Sequence, residues 1–213
     1  MTGSTQQIAL VTGATRGIGA AIAQTLAAGG MAVIGTATSD EGAQKISAAL
    51  AAWPGCKGVT LDVRDGAACE ALAESIVKER GALHVLVNNA GITRDTLAMR
   101  MKDEDWSAVL ETNLTAVFRM SRAVMRPMMK QRYGRIVNIT SVVGATGNPG
   151  QANYAAAKAG VAGMTRALAR ELGNPSPQLL QMLQAQVPQK ARPVLRILSE
   201  VSGIPPHEPA LLR

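Results

Sequence analysis

Three side chains between positions 141 and 158 have the types and the spacing that suit proton transfer. Tyr154 and Lys158 stand four residues apart in an alanine-rich run that favours helix, so both side chains project from one face, one turn apart. A cation near a phenol favours the phenolate, and we expect Lys158 to lower the pKa of Tyr154 from about 10 toward neutrality. The phenol would then exchange a proton near neutral pH, although an isolated pair of this kind is most often an ordinary surface pair.

Ser141 is the third of these side chains, and it follows a predicted strand. Residues 135–140 are mostly β-branched and predict a buried strand, and the glycines and proline after Ser141 predict a loop. We therefore expect Ser141 at the carboxyl end of a strand, which is where open α/β sheets place their ligands.

A glycine-rich turn lies near the beginning of the chain. Residues 8–11 predict a short buried strand, residues 20–28 predict a helix, and the turn between them has the spacing G-x-x-x-G-x-G. In this context the glycines let the backbone come close to a ligand, and the helix N-terminus presents free N–H groups, so the turn predicts a phosphate site. Tight packing alone is the alternative for such a turn, and the strand–turn–helix order favours the phosphate site.

The end of the second predicted strand, residues 31–36, indicates which dinucleotide binds. Many NAD-binding proteins have an acid there that holds the ribose 2′-hydroxyl, but positions 37–39 are Ala, Thr and Ser. Arg16 in the glycine turn would pair with a 2′-phosphate, so we predict NADP rather than NAD. Asp40, which follows, is interpreted as a helix N-cap.

Short apolar strands alternate with helices along the chain. Further strands are predicted at residues 58–62 and 83–87, and helices at residues 41–52, 65–80 and 103–131, the last kinked near Pro127. This alternation predicts an α/β fold, a Rossmann-like doubly wound parallel sheet with right-handed crossovers. Asn113 interrupts the apolar pattern of the last helix, and it is either a satisfied core amide or part of a site.

The composition favours a protein of a reducing compartment. The 213 residues, 47% of them hydrophobic, suffice for one α/β domain. The two cysteines, Cys56 and Cys69, have neither metal-ligand spacing nor a disulfide framework. The first apolar run is too short for a signal or membrane segment, so we expect a cytoplasmic protein with no metal and no membrane partner.

Positive charge is concentrated in one part of the chain. The formal net charge is +7, and nine basic residues but no acid lie between Glu111 and Glu171. A basic face attracts an anionic partner, while a merely solvated basic helix is the alternative. The chain has only five aromatic residues for stacking and no recognised binding motif, so we do not expect nucleic acid to be that partner.

These motifs together resemble the short-chain dehydrogenase/reductase family. The resemblance covers residues 8 to about 173 and consists of the glycine turn, Asn88-Asn89-Ala90-Gly91, Asn113, Ser141, Tyr154 and Lys158, in the family's order and spacing. Residues 91–95, 99–102 and 150–154 resemble in particular the members that act on acyl carrier protein. The resemblance implies an oxidoreductase of fatty acid synthesis that uses NADPH to reduce a 3-oxoacyl group on acyl carrier protein and forms homo-oligomers. Two alternatives stay open: a reductase of acetoacetyl-CoA or another ketone, and a catalytically impaired nucleotide-binding remnant.

The resemblance also implies a role for each matching residue. Tyr154 would protonate the alkoxide that develops as hydride reaches the 3-keto carbon, and Ser141 would hold the carbonyl oxygen. Lys158 would lower the pKa of Tyr154 and bind the nicotinamide ribose, and Asn113 would hold a water that resupplies the proton. The implied cofactor contacts are Gly13, Thr15, Arg16, Gly17, Ile18, Gly19, Thr38, Asp62, Val63, Asn89, Ala90, Gly91, Tyr154 and Lys158.

The family pattern stops after Gly173, which divides the chain into a dinucleotide-binding domain, residues 1–173, and a divergent tail, residues 174–213. The tail holds seven of the ten prolines and one of the 21 glycines. Its origin, whether a deletion, a shifted reading frame or an alternative ending, is open. Apolar residues at helical spacing predict a partly helical tail. We expect the family's last two strands and part of the nicotinamide and substrate pocket to be absent. The strand near residues 135–139 would then be an edge that the tail covers or that invites association.

Overall fold

The computed structural model describes residues 6–172 and the backbone of a short strand at residues 180–183. The strands are β1 Ile8–Val11, β2 Ala32–Ala37, β3 Lys57–Thr60, β4 Val85–Asn88, β5 Arg135–Ile139 and β6 Leu180–Leu183. The helices are α1 Gly17–Ala28, α2 Asp40–Ala49, α3 Gly66–Arg80, α4 Asp103–Leu110, α5 Ala116–Lys130, α6 Val143–Thr146 and α7 Ala152–Leu172. A 3₁₀ turn, Ala98–Arg100, precedes α4.

All six strands form one parallel sheet in the order β3-β2-β1-β4-β5-β6. The direction of winding reverses between β1 and β4, where Ala9 pairs with Val85 and Val11 with Val87. Open sheets bind ligands outside the carboxyl ends of the strands at such a reversal. The predicted doubly wound parallel sheet is confirmed.

Both faces of the sheet are buried, which explains why its strands are nearly continuous apolar runs. Alternate residues, such as Val11 and Val87 against Leu10 and Leu86, enter two separate cores. α1 packs in one core, and α3 and α5 pack in the other. The carboxyl ends of β1, β4 and β5 are thereby held rigidly side by side.

The strand β6 changes the expectation for the tail. Leu180–Leu183 pairs in parallel with β5, from Ile136 beside Leu180 to Ile139 beside Leu183, so the tail covers the β5 edge. These four residues form a strand within the tail that is expected to be partly helical, and their pairing satisfies β5 backbone groups that would otherwise lie at an edge. The other expectations for the tail lie outside the described residues.

The long helix predicted for residues 103–131 is divided at Asn113 and not at Pro127. A π-helical turn, Glu111–Thr115, separates α4 from α5, whereas α5 continues past Pro127 to Lys130. Single π turns occur frequently at functional sites. No helix in the described part of the chain has the length and apolar character needed to cross a membrane.

Candidate active site

The glycine turn between β1 and α1 is tightly packed against the segment that follows β4. Gly13 has a positive φ of 65°, and a Cβ there would lie 2.9 Å from the Cα of Ala90. A Cβ on Gly19 would collide with the Gly13 carbonyl oxygen and the Asn89 amide. Both positions therefore require glycine.

Asn89 fastens this turn to the sheet. Its side-chain Nδ2 donates to the carbonyl oxygens of Thr12 (2.9 Å) and Gly13 (3.0 Å). The backbone N–H groups of Asn89 and Ala90 both donate to Oγ1 of Thr12, at 3.0 and 3.1 Å. The Asn89 amide hydrogens thus hold the glycine turn in place. Gly91, two residues farther along the chain, is exposed.

The tip of the turn is open to solvent. Thr15, Arg16 and Gly17 are exposed, while Ile18 is partly buried and Gly19 is buried. Gly17 has a φ of 59° with nothing within 4 Å of a Cβ position. Among the residues that the structure describes, Arg16 has neither an ion pair nor a side-chain hydrogen bond, and it is the N-cap residue of α1. The exposed backbone of the turn fits the phosphates of a dinucleotide. The Arg16 guanidinium fits a 2′-phosphate.

The end of β2 corrects one expectation. Ser39, and not Asp40, is the N-cap of α2, because its Oγ accepts a hydrogen bond from the Gly42 N–H at 3.2 Å. Asp40 is the first residue of the helix, and its carboxylate accepts a 2.6 Å hydrogen bond from Oγ1 of Thr60. Thr38 is exposed beside them.

The carboxyl end of β3 carries the other two expected cofactor residues. The carboxylate of Asp62 accepts hydrogen bonds from the Arg64 side chain at 3.0 and 2.6 Å, and these bonds lower the pKa of Asp62. Val63 is buried in the core beside α3. Asp62 is therefore already paired within the chain.

Lys158 is buried on α7, next to the carboxyl end of β5. It is 5% exposed, and its Nζ donates to the Ile139 carbonyl oxygen at 2.8 Å, at the last residue of β5. The Nζ lies 5.6 Å from the centre of the Tyr154 ring. Burial lowers the pKa of Lys158 to about 8.

The expected lowering of the Tyr154 pKa is not what these surroundings produce. Burial raises the pKa of Tyr154 above its ordinary value, a hydrogen bond with Ser141 lowers it, and the charge of Asp95 raises it. The Lys158 ammonium donates to the Ile139 carbonyl oxygen, and its own pKa is lowered to about 8. The structure therefore brings Ser141, Tyr154 and Lys158 together, with a phenol that keeps its proton at neutral pH.

Ser141 lies just beyond β5, as expected. Its Oγ accepts a hydrogen bond from the Val143 N–H at 3.2 Å, at the beginning of α6. Together with the bond to Tyr154, this contact fixes the hydroxyl between the strand end and α7.

Asn113 lies in the π turn and is fully buried. Its Oδ1 accepts from the Ile92 N–H and its Nδ2 donates to the Ile92 carbonyl, both at 2.8 Å. The side chain is thus a two-point clamp on the loop after β4. The structure favours the satisfied amide of the two interpretations, and it places that amide beside the site.

Sequence reasoning missed a buried polar network under the site. Asn138 of β5 accepts from Asn88 of β4 at 2.8 Å and donates to Thr165 of α7 at 2.9 Å, and Asn88 also donates to Ser121 of α5. Asn138 and Thr165 are at most 3% exposed. The signal was present, since asparagine is rarely placed in an apolar strand without a partner.

A second missed feature is the binding of the loop after β4 to the beginning of α7. Gln151 Nε2 donates to Asp95 at 2.9 Å, the Thr96 N–H donates to the Gly150 carbonyl at 2.8 Å, and Asn153 Nδ2 donates to the Arg94 carbonyl at 3.0 Å. The loop therefore forms one wall beside Tyr154.

The chain is similar to known proteins in sequence and in fold. The chain is 62% identical over 168 residues to the 3-oxoacyl-[acyl-carrier-protein] reductase FabG of Escherichia coli K12, covering 79% of this chain and 68% of that protein. It is 56% identical over 170 residues to the FabG of Pseudomonas aeruginosa, with the same coverage. A crystal structure of a short-chain dehydrogenase from Streptomyces avermitilis matches with a TM-score of 0.78 at 31% identity, over 87% of this chain and 66% of that one.

The chain thus spans about two thirds of the length of these relatives. The family model for short chain dehydrogenases matches residues 7–176, which include the glycine turn, the π turn and the cluster of Ser141, Tyr154 and Lys158. By sequence and by fold, the chain belongs to the short-chain dehydrogenase family.

Proposed function

We propose that the chain reduces 3-oxoacyl-[acyl-carrier-protein] to the 3-hydroxyacyl form in fatty acid synthesis. The observation that carries this proposal is the arrangement at the carboxyl end of β5, where the Tyr154 phenol is hydrogen-bonded to Ser141 and the Lys158 Nζ lies 5.6 Å from the centre of its ring. The relatives named FabG, which share 56–62% of the aligned residues, support the choice of substrate.

Reduction of a ketone needs a proton for the carbonyl oxygen as well as a hydride for the carbon. The Tyr154 phenol holds its proton at neutral pH and can give it to the carbonyl oxygen, although its raised pKa makes it a weaker acid than a free phenol. The Ser141 hydroxyl would donate a hydrogen bond to the same oxygen and orient it. Lys158, with a pKa of about 8, exchanges a proton close to working pH and can return one to the phenol.

The glycine turn fits NADPH, which supplies the hydride when it is bound. The exposed backbone of residues 15–17 at the N-terminus of α1 would hold the phosphates, and Arg16 would pair with the 2′-phosphate. Thr38, Asp62 and Val63 follow β2 and β3 at their carboxyl ends and would line the adenosine. Gly13, Gly19, Asn89 and Ala90 shape the turn and do not reach out from it.

Asn113 contributes by fixing the loop after β4. Each polar atom of its side chain makes one bond to Ile92 and keeps one further hydrogen-bonding position. We propose that Asn113 orders the loop wall beside Tyr154, and that proton supply depends on Lys158.

The carrier protein would dock on the carboxyl-terminal half of α5. Arg126, Lys130 and Arg132 are exposed there, and within the described part of the chain they have no ion pairs. Arg119 and Arg122, by contrast, pair with Glu111 and Glu70. Unpaired cations are the part of the basic face that is free to attract an acidic partner. We also propose that the chain forms homo-oligomers, as the resemblance implies.

One sample tests the function by two measurements, NADPH binding by fluorescence and NADPH oxidation with acetoacetyl-carrier protein or acetoacetyl-CoA. The proposal requires binding and a higher kcat/KM for the carrier-linked substrate. Equal kcat/KM values would favour a general ketone reductase. Binding without turnover of either substrate would show a nucleotide-binding remnant.

A further inference from the structure

The first turn of α7 carries Tyr154 and has little support from the helix itself. A helical Tyr154 N–H would donate to the carbonyl of Gly150, four residues earlier, but that carbonyl lies before α7 and accepts from the Thr96 N–H at 2.8 Å. The Tyr154 N–H is therefore one of the donors that a helix leaves unpaired at its beginning. Because helix ends fray, the place of the proposed proton donor needs a support from outside the helical bonds.

The side chain of Asn153 gives this support. Its Oδ1 accepts from the Tyr154 N–H at 2.7 Å. Its Nδ2 donates to the Arg94 carbonyl in the loop after β4 at 3.0 Å, with a longer contact of 3.5 Å to the Asp105 carbonyl in α4. Asn153 is fully buried, and both amide hydrogens and the amide oxygen have partners. One buried amide thus joins three elements at the residue before Tyr154.

Tyr154 lies between two anchors of α7. One turn after it, Lys158 Nζ donates to the Ile139 carbonyl at 2.8 Å and ties the helix to β5. Immediately before it, Asn153 ties the helix to the loop. A tyrosine ring has only two side-chain torsions, so a fixed backbone largely fixes the phenol, which bonds to Ser141. Loss of the first anchor would let the first turn move while the second turn stays in place.

The loop after β4 does not depend on Asn153 alone. The carboxylate of Asp95 accepts from Gln151 at 2.9 Å, and Asn113 clamps Ile92 by two bonds of 2.8 Å. The partners of Asn153 among the described residues do not include the glycine turn. We therefore expect removal of the Asn153 amide to release the first turn of α7, and to leave the loop and the nucleotide site in place.

We propose that Asn153 is a positioning residue for the proton donor, and that its buried amide holds the Tyr154 phenol where it can reach the substrate oxygen. The inference rests on the proposed function, in which Tyr154 is the acid. A displacement of about 1 Å can cost about 10²-fold in rate even when every catalytic group is present. The effect of losing Asn153 on the rate must then pass through the phenol.

The kinetic test is a cycle of Asn153→Ala with Tyr154→Phe. With acetoacetyl-CoA as substrate, Asn153→Ala should lower kcat by about 10- to 100-fold, while the Kd for NADPH changes by less than about twofold. In the Tyr154→Phe background, measured with enzyme in excess of substrate, the same substitution should change the residual rate by less than about twofold. A general loosening of the fold would instead lower both rates by the same factor.

Gln131→Ala is the matched control. The Gln131 side chain is also an amide clamp on backbone groups, since it accepts from the Leu83 N–H at 3.4 Å and donates to the Leu83 carbonyl at 2.7 Å. These contacts lie at the amino end of β4, on the opposite side of the sheet from Tyr154. Gln131→Ala should change kcat for acetoacetyl-CoA by less than about twofold.

Amide hydrogen exchange tests the contact without turnover. The chain has two tyrosines, so labelling with ¹⁵N-tyrosine gives two backbone amide signals, which Tyr133→Phe assigns. Asn153→Ala should speed the exchange of the Tyr154 amide by about three- to tenfold, as the loss of one hydrogen bond implies. The Tyr133 amide, which donates to the Met128 carbonyl at 3.2 Å, should exchange at its parent rate.

An unchanged exchange rate of the Tyr154 amide in Asn153→Ala would overturn the inference, and so would equal losses of rate in the two backgrounds. If Asn153→Ala does not fold, as judged by circular dichroism, Asn153→Ser takes its place. Failure of both variants to fold would show that the whole fold needs this amide, and would also overturn the inference. A parent that binds NADPH without turnover would refute the proposed function, and amide exchange would then decide alone whether Asn153 holds the first turn.

Discussion

The protonation states of two residues decide what the site can do. Burial raises the pKa of Tyr154, so its phenol is protonated at neutral pH as a free phenol is, and burial brings the pKa of Lys158 down to about 8. A protonated phenol beside a lysine that readily exchanges its proton suits reduction, in which a proton must be given to the substrate oxygen. Oxidation of an alcohol would need the phenolate, and these surroundings favour that form only at higher pH.

Tyr154→Phe keeps the ring and removes the acidic proton. We expect kcat to fall by at least about 10²-fold, the lower value typical of general acid catalysis, while NADPH affinity is retained. Lys158→Met should also lose activity, and its NADPH affinity should fall because the lysine is proposed to bind the ribose. Steady-state kinetics and NADPH fluorescence titration measure both. If Tyr154→Phe kept more than about a tenth of the rate, Tyr154 could not be the acid.

Arg16→Ala tests cofactor choice. The exposed guanidinium is proposed to bind only the 2′-phosphate, so NADPH affinity should fall by about 10- to 100-fold, as the loss of a charge-assisted contact implies, while NADH affinity changes little. Binding titrations with the two nucleotides give the comparison. The conservative Arg16→Lys should retain part of the NADPH preference. Equal losses for both nucleotides would show that Arg16 only shapes the turn.

At the scale of the elements, β5 and α7 are joined by two successive bonds. The Ile139 carbonyl binds Lys158, and the preceding residue, Asn138, binds Thr165 two turns farther along the helix. These bonds fix how far α7 slides along the strand, and with it the height of Tyr154 above the sheet. The buried network is therefore a device for placing the acid.

A double-mutant cycle measures this link. We expect Thr165→Val to reduce the free energy of unfolding by about 1–3 kcal/mol, because it leaves a buried amide donor of Asn138 unsatisfied. Combined with Asn138→Leu, the loss should be smaller than the sum, with a coupling of about 0.5–3 kcal/mol. Urea unfolding gives the four values. In the control cycle, Thr25→Val on α1 replaces Thr165→Val. The effects of Thr25→Val and Asn138→Leu on the free energy of unfolding should be additive to within about 0.5 kcal/mol.

The sheet, the glycine turn and the Ser141–Tyr154–Lys158 cluster could be predicted because each depends on local pattern. Apolar runs of strand length, glycines at a turn and an i, i+4 pair on a helix are all visible over short windows. The division of the long helix at Asn113 could not be predicted in this way, because it depends on a contact with Ile92, 21 residues away. The same holds for the pKa of Tyr154, which burial raises although the spacing suggested that Lys158 would lower it.

The N-cap of α2 and the pairing of the tail with β5 could not be predicted from the sequence, for related reasons. Ser39 and Asp40 are both good N-cap residues, and only the backbone geometry decides between them. The leucine-rich segment of the tail suits either a helix or a strand at four residues, so the exposed edge of β5 decides its structure.

For the molecule as a whole, the basic face of α5 can be tested by charge reversal. Arg126→Glu with Lys130→Glu should raise KM for carrier-linked substrate about tenfold at low salt, since close charge pairs across an interface contribute about a kcal/mol or more each. Raised salt should reduce the difference in this KM between the double variant and the parent. The KM for acetoacetyl-CoA should change little. Arg166→Glu, a charge reversal at an exposed position of α7, serves as the control. An unaltered KM for carrier-linked substrate in the double variant would exclude this face as the docking surface.

The bonds from Asn89 to Thr12 and Gly13 span 77 and 76 residues, and this has a consequence for the newly made chain. Ribosomes add roughly 5–20 residues per second, so β1, α1 and β2 exist for several seconds before Asn89 emerges. During that interval β1 can pair with β2, but the glycine turn lacks its tether, and the long loop must close before the tether forms. Affinity for the nucleotide would therefore arise late and abruptly, as a sign that the two halves of the sheet have met.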